Sequence, residues 1–260
     1  MLETLLRTVG VYSVYEKWLT SQISKGEIPR HIGVILDGNR RWASQRSMNP
    51  YLGHHVGADK VEQLIRWCGK LGIKILTLYV LSIENFARSE GEVEELLNLL
   101  KEEVARAEAD EELMRDGVRF KMIGGKELLP PDLLADMEEL EKKTEENDQL
   151  VVNVAVAYGG KKEIVDAARK MAEDLLGGRM KLDEIDEDLF QQYLYTSHLE
   201  DPSVDLVIRT SGEKRLSGFL LWQSAYSELV FIDAHWPSFR SIDLMRAIRI
   251  YQHRHRRFGR

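Results

Sequence analysis

The chain has 260 residues, of which 43% are hydrophobic and 30% charged, so it can bury a substantial core and remain soluble. Its formal net charge of −7 argues against a general nucleic-acid binder, because such proteins depend on a basic surface. The lone cysteine, Cys68, excludes an internal disulfide, and no apolar run approaches the ~18 residues of a membrane span. We therefore expect a cytoplasmic protein that binds no nucleic acid.

The two ends of the chain differ in character. Residues 1–27 predict an amphipathic helix, because apolar side chains recur at helical spacing at Leu2, Leu5, Leu6, Val9 and Tyr12. Such a helix either packs on the domain or touches a membrane surface or an oily substrate, and the sequence leaves both alternatives open. The other end, residues 240–260, is strongly basic and predicts a final helix and tail.

A short apolar run at residues 32–36 predicts a buried strand, and the Asp-Gly-Asn sequence at residues 37–39 predicts the turn at its end. A helix that begins there would point free N–H groups at the end of the strand. Arg40 and Arg41 would add positive charge, and Asp37 could hold a metal ion. The same residue types are common in ordinary strand–turn–helix junctions. The stretch is thus either a plain junction or an anion site.

Further along the chain, apolar strands alternate with helices. We predict strands at residues 74–81, 118–123, 150–157, 205–208 and 229–233. We predict helices at residues 61–71, 90–114, 130–147, 161–176, 188–195 and 242–257. Continuously apolar strands separated by helices indicate a parallel sheet covered on both faces. The expected fold class is α/β, with a central, mostly parallel β-sheet flanked by helices in a single domain of residues 1–260.

Polar side chains gather after these strands, at the carboxyl ends where parallel sheets bind their ligands. The strand at residues 74–81 is followed by Ser82 to Arg88, and the strand at residues 205–208 by Arg209 to Ser217. Arginine combined with small hydroxyl and glycine residues binds phosphate groups. The cluster after the first strand and the cluster from Arg209 to Ser217 therefore predict two phosphorylated ligands bound at once. The sequence has neither a P-loop nor a G-x-G-x-x-G fingerprint, which argues against nucleotide-binding folds.

Longer motifs carry a resemblance to a known family. The run from His31 to Ala43 resembles the first signature of the cis-prenyltransferases, the undecaprenyl diphosphate synthase family. The middle signatures match Gly53-His54 with Gly57-Ala58, Thr77-Leu78-Tyr79 with Ser82-Ile83-Glu84-Asn85-Phe86, and Asn153 with Tyr158-Gly159-Gly160. The last signatures match residues 205–213 and 219–223 together with Arg215, Ser217, Glu228 and Arg256-Arg257-Phe258-Gly259.

This resemblance implies an undecaprenyl diphosphate synthase-like fold with an apolar tunnel for the growing chain. It implies an enzyme that condenses an allylic prenyl diphosphate with isopentenyl diphosphate, forms a cis double bond and releases pyrophosphate. It also implies Mg²⁺ as the cofactor, held by Asp37 and Glu228. A homodimer is implied as well, in which Arg257 and Gly259 of one chain bind substrate in the other chain's site.

The resemblance also implies roles for individual residues. Asp37 would assist departure of the allylic diphosphate, and Asn85 occupies the position assigned to proton removal. An amide is a poor base, so we expect Asn85 to position a water molecule or a phosphate oxygen. The allylic diphosphate would contact Gly38, Asn39, Arg40, Arg41, His54 and Arg88. Isopentenyl diphosphate would contact Arg209, Arg215 and Ser217. Further substrate-binding positions in these signatures are Trp42, Ser82, Ile83, Glu84, Phe86 and Leu216.

Several positions depart from the family pattern. Pro50 stands where the family has arginine, with Arg46 as a candidate replacement, and Gly218 stands where it has asparagine. Val80 and Val156 stand where long-chain enzymes often carry alanine. Extra methyl groups along a tunnel shorten the available space, because packed interiors yield little. We therefore predict a short or medium product.

Two alternatives to this reaction stay open. One is prenyl transfer to a non-standard acceptor, such as a prenylated or glycerol-bearing lipid, which the changes at Pro50 and Gly218 would allow. The other is a non-catalytic partner subunit of a heteromeric cis-prenyltransferase. The intact Asp37, Asn39 and Arg41 argue against that second alternative.

Overall fold

A computed structural model describes residues 11–254 of the chain. In this part of the chain one sheet is formed by β1 (His31–Ile35), β2 (Ile75–Tyr79), β3 (Val118–Ile123), β4 (Leu150–Ala155), β5 (Leu206–Arg209) and β6 (Glu228–Phe231). The strand order is β3-β4-β2-β1-β5-β6, and neighbouring strands run parallel. The predicted α/β class with a parallel sheet is confirmed.

Helices connect and cover these strands. The described helices are α1 (Val11–Ile23), α2 (Asn39–Ser44), α3 (Pro50–Leu71), α4 (Glu90–Ala109), α5 (Glu111–Arg115), α6 (Pro131–Lys143), α7 (Gly160–Leu176), α8 (Glu187–Gln191) and α9 (Ser241–His253). Short 3₁₀ turns lie at Ile83–Ala87, Lys126–Leu128, Leu182–Glu184 and Trp236–Ser238. None of the helices within residues 11–254 is both long enough and apolar enough to cross a membrane.

Successive residues of the strands enter two different apolar clusters, one on each face of the sheet. On one face Leu78 and Val152 pack with side chains of α1, α3, α4, α5, α6 and α9. On the other face Tyr79, next to Leu78, and Ala155, three residues beyond Val152, belong to a second cluster around Phe219. This alternation follows from the two-residue repeat of a strand. Each central strand therefore has one row of side chains facing the helices and a second row facing the cluster around Phe219.

Helix α3 is twice as long as the sequence pattern predicts, since it begins at Pro50 rather than at residue 61. The Asn49 side chain accepts a hydrogen bond from the N–H of Tyr51 at 3.1 Å, and proline suits the first helical position. The first half of α3 lacks an apolar repeat because Gly53 and Gly57 occupy the face that packs on α2. Position 50, where the family pattern has arginine, is therefore the first residue of helix α3.

A second difference lies at the predicted helix of residues 90–114, which is broken at Asp110. The Asp110 carboxylate accepts hydrogen bonds from the N–H groups of Glu112 at 2.8 Å and Leu113 at 3.0 Å. This cap begins the separate helix α5 and turns it away from α4. The helix predicted to end at residue 257 is described as far as His253, and the helical spacing predicted for residues 1–10 lies outside the described residues.

Replacing Gly53 with alanine is expected to destabilise the protein by about 1–3 kcal/mol, the usual cost of overpacking. A Cβ at position 53 would lie 2.2 Å from the backbone oxygen of Asn39, so α2 would have to move. The matched control is Gly69→Ala in the same helix, where nothing lies within 4 Å of the added Cβ. That variant should gain about 0.4–1 kcal/mol. Urea unfolding measures both, and equal shifts in the two variants would contradict the expectation.

Candidate active site

Three adjacent strands deliver polar side chains to one point at the carboxyl edge of the sheet. Ile35 at the end of β1 is in register with Tyr79 of β2 and with Arg209 of β5. Because neighbouring parallel strands end at the same edge, the segments that follow them meet there. Asp37 lies two residues beyond Ile35, and Ser82 lies three residues beyond Tyr79.

Asp37 lies at the centre of this cluster. Its Oδ2 accepts a hydrogen bond from Arg209 Nη2 at 2.8 Å, and its Oδ1 accepts one from Arg41 Nη2 at 3.1 Å. Burial by itself would raise the pKa of Asp37. The hydrogen bonds from Arg209 and Ser211 and the charges of both arginines outweigh burial, and the pKa lies below its ordinary value. Asp37 is therefore an ionised carboxylate at neutral pH.

Glu213 joins the two arginine clusters that the sequence singles out. Its Oε1 accepts a hydrogen bond from Arg41 Nη1 at 3.2 Å, and its Oε2 accepts one from Arg215 Nη1 at 2.5 Å. Arg41 Nη2 also donates to Ser211 Oγ at 2.7 Å. The cluster after β1 and the loop after β5 are thus parts of one site, as the sequence predicts.

Sequence reasoning missed Glu92, in the first turn of α4. Its Oε1 accepts hydrogen bonds from Arg88 Nη1 at 2.7 Å and from Arg40 Nη1 at 3.2 Å. The four-residue spacing between Arg88 and Glu92 is a helical ion-pair signal that could have pointed to this residue. The contact to Arg40 could not be read from the sequence. Asp37, Glu92 and Glu213 therefore each bind two arginines of the site.

The loop of Ser217 and Gly218 has an unusual backbone. Arg209 Nη1 donates a hydrogen bond to Ser217 Oγ at 2.8 Å, and Tyr79 Oη donates one to the Ser217 carbonyl at 3.2 Å. Ser217 and Gly218 have φ values of 49° and 79°, in the left-handed region. Glycine and asparagine both adopt this region readily, so the departure from the family pattern at Gly218 preserves the turn.

Asn85 does not have a free carbonyl oxygen. Its Oδ1 accepts a hydrogen bond from the backbone N–H of Ser82 at 2.9 Å. The side-chain group left to face the cavity is therefore the amide NH₂, which is a donor. This geometry agrees with a positioning role for Asn85 and gives it no means of acting as a base.

His54 and Asn39 carry polar atoms that the described residues leave unsatisfied. Among residues 11–254, neither His54 Nε2 nor Asn39 Oδ1 has a hydrogen-bond partner, although both atoms are buried. Burial, with the nearby charges of Arg88 and Arg40, lowers the pKa of His54 to about 4. The imidazole is therefore neutral at pH 7. Buried polar atoms without partners suit a bound polar ligand at this point.

A cavity of about 900 Å³ opens from this cluster and extends between the sheet and helices α3 and α4. This volume is at the upper end for a small-molecule site. Its walls beyond the arginines are largely apolar and include Leu36, Val61, Ile65, Leu78, Val80, Leu96, Leu99, Leu100, Val104, Phe120, Met122, Met137, Leu140, Val152 and Val154. The charged cluster and the apolar space are therefore continuous.

Most of the site residues predicted from the sequence line this cavity. They are Asp37, Gly38, Asn39, Arg40, Arg41, His54, Ser82, Glu84, Asn85, Arg88, Arg209, Arg215 and Ser217. Trp42, Ile83, Phe86 and Leu216 are not part of its wall. Trp42 Nε1 donates to Ser238 Oγ at 2.8 Å, while Phe86 and Leu216 pack on the two apolar clusters. Arg257 and Gly259 lie outside the described residues.

Glu228 requires a correction. The sequence analysis pairs it with Asp37 at a metal ion, but Glu228 is the first residue of β6 and is in register with Leu206, the first residue of β5. The start of a parallel strand lies at the edge opposite the one that carries Asp37. Its Oε2 accepts a hydrogen bond from Arg254 Nη1 at 2.8 Å. Within one chain the two carboxylates are therefore not brought together.

Two further expectations about the cavity need correction. Arg46 does not replace the arginine missing at position 50, because its guanidinium lies over the Trp42 ring at 4.2 Å, outside the cavity wall. Val156 is fully buried in the main apolar cluster and does not reach the cavity. Of the two valines expected to narrow the tunnel, only Val80 lines it.

The residues present suit a magnesium ion that is held jointly with a substrate. Mg²⁺ prefers oxygen ligands, keeps several waters and is commonly bound by one or two carboxylates together with substrate phosphates. Asp37 supplies one such carboxylate, and its side chain remains 26% exposed at the mouth of the cavity. Among residues 11–254, no group of three or more acidic, histidine or cysteine side chains could hold a metal by itself.

Comparisons with known proteins agree with this geometry. The sequence model of the undecaprenyl diphosphate synthase family matches residues 35–259. The chain belongs to the undecaprenyl diphosphate synthase family. A tritrans,polycis-undecaprenyl-diphosphate synthase (geranylgeranyl-diphosphate specific) from Pyrococcus horikoshii is 47% identical over 249 residues, 96% of this chain and 94% of that protein. An isoprenyl transferase from Thermus thermophilus is 44% identical over 254 residues, 96% of each chain.

A solved structure supports the family assignment at the level of the fold. Lavandulyl diphosphate synthase from Lavandula x intermedia, in complex with dimethylallyl diphosphate, superposes with a TM-score of 0.85 at 37% identity. The match covers 90% of this chain and 99% of that one. The undecaprenyl diphosphate synthase-like fold and the cis-prenyltransferase activity predicted from the motifs are both confirmed.

Proposed function

We propose that this family member extends an allylic prenyl diphosphate with isopentenyl diphosphate, releasing pyrophosphate. The observation that carries the proposal is the Asp37-centred arginine cluster at the mouth of a largely apolar cavity. Arginine binds diphosphate oxygens through several N–H groups at once, and the apolar cavity suits a prenyl chain. A single site thereby accommodates the charged head and the apolar tail of one molecule.

The reaction breaks the bond between the allylic C1 and its diphosphate oxygen and forms a bond from that carbon to C4 of the isopentenyl unit. We propose that Arg40, Arg41 and Arg88 hold the departing diphosphate, while Arg209, Arg215 and Ser217 hold isopentenyl diphosphate. The proton lost from C2 of the isopentenyl unit passes to a water molecule or a phosphate oxygen that the Asn85 amide positions. The cavity walls exclude water from the cationic carbon.

Asp37 is the residue that would hold Mg²⁺, together with diphosphate oxygens. When bound, the ion would supply positive charge to the leaving diphosphate. The contacts of Asp37 with Arg41 and Arg209 fix the direction of its carboxylate before any ligand arrives. His54, neutral at pH 7, would add a hydrogen bond rather than a charge.

We further propose a medium-length product that is built on a long allylic primer. The Pyrococcus horikoshii relative is named for an undecaprenyl product and for geranylgeranyl diphosphate as its primer. The large apolar cavity suits such a primer, since only Val80 of the two tunnel valines narrows it. The relatives named here are themselves synthases or transferases, which supports a catalytic chain over a non-catalytic partner subunit.

Asp37→Ala is expected to lower the incorporation of labelled isopentenyl diphosphate into extractable lipid by about 10²–10³-fold. The reason is the loss of the carboxylate that would bind the metal and orients two arginines. Geranylgeranyl diphosphate serves as the primer, and chromatography gives the product length. The control is Asp174→Ala, since Asp174 of α7 pairs with Arg179 and Tyr193 and does not line the cavity. Equal rates in the two variants would refute the reaction proposed for this site.

We also propose a homodimer in which the tail of each chain completes the other chain's site. The supporting features are the match of Arg257 and Gly259 to the family's C-terminal motif and the edge strand β6. Tyr226, next to β6, is 76% exposed. A symmetric dimer would exchange equivalent contacts between its two copies.

Mixing the inactive variants Asp37→Ala and Arg257→Ala is expected to restore about a quarter of the normal activity. A mixed dimer would contain one site with an intact Asp37 and an Arg257 donated by the other chain. The mixture is denatured and refolded together, and incorporation of label is compared with each variant refolded alone. Light scattering reports the oligomeric state. An inactive mixture of correctly formed dimers would contradict the exchange of tails.

We propose a peripheral membrane contact through the exposed face of α1 and α9. Val14 and Trp18 of α1 are 69% and 43% exposed, and the Arg249 guanidinium lies over the Trp18 ring at 5.0 Å. The acidic side chains of these two helices already have partners. Glu16 accepts a hydrogen bond from Ser241, and Asp243 forms ion pairs with Arg240 and Arg246. Aromatic and basic groups without competing acids suit an anionic lipid surface.

Trp18→Ala is expected to weaken sedimentation with phosphatidylglycerol vesicles by about tenfold, because a large apolar side chain no longer enters the interface. Vesicles of phosphatidylcholine should bind the unaltered protein less than the anionic vesicles do. The matched control is Leu176→Ala, which removes an 89% exposed apolar side chain from α7. Unchanged binding of the Trp18 variant, or equal loss in the control, would refute the assignment of this surface.

A further inference from the structure

Charged side chains join α3 to α4 and α5 along one side of the cavity. Arg106 of α4 contacts Asp59 at 3.0 Å, Glu62 at 3.3 Å and Glu103 at 2.7 Å. Arg66 of α3 contacts Glu62 at 3.1 Å and Asp110 at 2.8 Å, and it also pairs with Glu112. We call these seven residues the ionic seam.

The ionic seam lies where the cavity meets solvent. Glu62, Glu103, Arg106 and Asp110 line the cavity, yet the side chain of Arg106 is 51% exposed. Just beneath them the wall is apolar, with Ile65 and other aliphatic side chains of α3 and α4. The outer rim of the cavity between α3 and α4 is therefore built of salt bridges, with apolar side chains beneath them.

The break in the helix at Asp110 builds half of this seam. A continuous helix through residue 114 would carry Asp110 and Glu112 onward along the axis of α4. The cap at Asp110 instead begins α5, and both acids reach Arg66 of α3. The polar residues at this position thus form a contact between helices at the border of the cavity.

We propose that the ionic seam is the gate through which a growing polyprenyl chain leaves the cavity, and that Arg66 and Arg106 thereby limit product length. This inference rests on the proposed function, since it concerns the product of that reaction. Exposed ion pairs are individually weak and are screened by salt, whereas packed apolar side chains yield little. A chain that has filled the cavity meets its least resistant wall between α3 and α4.

The gate predicts longer products when it is weakened. In the variant Arg66→Gln with Arg106→Gln, the tail would pass between α3 and α4 earlier, and condensation would continue. The main product should shift upward by one or more five-carbon units. Labelled products are separated by reversed-phase chromatography, with geranylgeranyl diphosphate as the primer. Replacing Arg106 with lysine instead of glutamine keeps the positive charge. The product lengths of that variant should therefore be closer to those of the unaltered protein.

Lys101→Gln is the matched control for the loss of a positive charge from α4. Lys101 pairs with Asp132 and Asp136 of α6, but it does not line the cavity. Its product distribution should be unchanged. If the products of Lys101→Gln lengthen as much as those of the double arginine variant, the proposed gate is overturned. Such a result would indicate that any loss of positive charge from α4 loosens this helix.

A salt series on the unaltered protein tests the gate without any substitution. Raising the ionic strength should lengthen the products of the unaltered protein and leave those of the double arginine variant unaffected, because its seam is already broken. Unchanged products in both the salt series and the variants would overturn the proposal. A chain that incorporates no label in its unaltered form would instead overturn the proposed function, so the two failures are distinguishable.

Discussion

The site depends on one contact, the ion pair between Arg209 and Asp37. The side chain of Arg209 is only 6% exposed, and a guanidinium at that depth is strongly unfavourable without a carboxylate partner. The pairing register of β1 and β5 places Arg209 beside Ile35. Asp37 lies two residues beyond Ile35, and its Oδ2 is 2.8 Å from Arg209 Nη2. Thr210 fixes the same segment, since its hydroxyl bonds to both the N–H and the carbonyl of Asp37. The position of the carboxylate thus follows from the parallel sheet itself.

The remaining charges are arranged around that pair by shared carboxylates. Asp37, Glu92 and Glu213 each hold two arginines, so the guanidinium groups are oriented before a ligand arrives. A diphosphate must compete with these carboxylates, which lowers its affinity relative to arginines without partners. In return, little reorganisation is needed when it binds, and positive charge stands ready where negative charge develops on the leaving group.

The sequence predicts the strands and the position of the site well, because the information for both is local. Residues 118–123 form β3 with the predicted bounds, and the turn after β1 leads into α2 at Asn39. Apolar runs bounded by turn residues define such elements. Since parallel strands share one carboxyl edge, the order of strands and turns along the chain is enough to place the clusters that follow them together.

Features that depend on distant contacts could not be predicted. The first half of α3 lacks an apolar repeat because Gly53 and Gly57 pack against Asn39 of α2. Glu228 is a different case, because the predicted strand at residues 229–233 already places it at the opposite edge, and only the family resemblance paired it with Asp37. The face taken by Val156 is likewise set by packing. Glu92 meets Arg40 from another helix, 52 residues away in sequence.

The two faces of the sheet explain how a charged site and a large apolar space can share one rigid frame. Protein interiors are close-packed, so a cavity of about 900 Å³ persists only when its walls are supported from behind. Met122 and Val154 face the cavity, while Ile123 and Ala155 pack into the cluster on the opposite face. Phe219, in that same cluster, stacks on Tyr79 at 4.8 Å.

This shared packing links the apolar wall to the site that binds charge. Phe219 lies two residues beyond Ser217, and Tyr79 donates a hydrogen bond to the Ser217 carbonyl. Ser217 in turn accepts the hydrogen bond from Arg209 that helps to direct this arginine toward Asp37. A change that disturbs the packing behind the wall therefore moves the loop as well. The geometry of the arginines and the shape of the cavity are set by one packed unit.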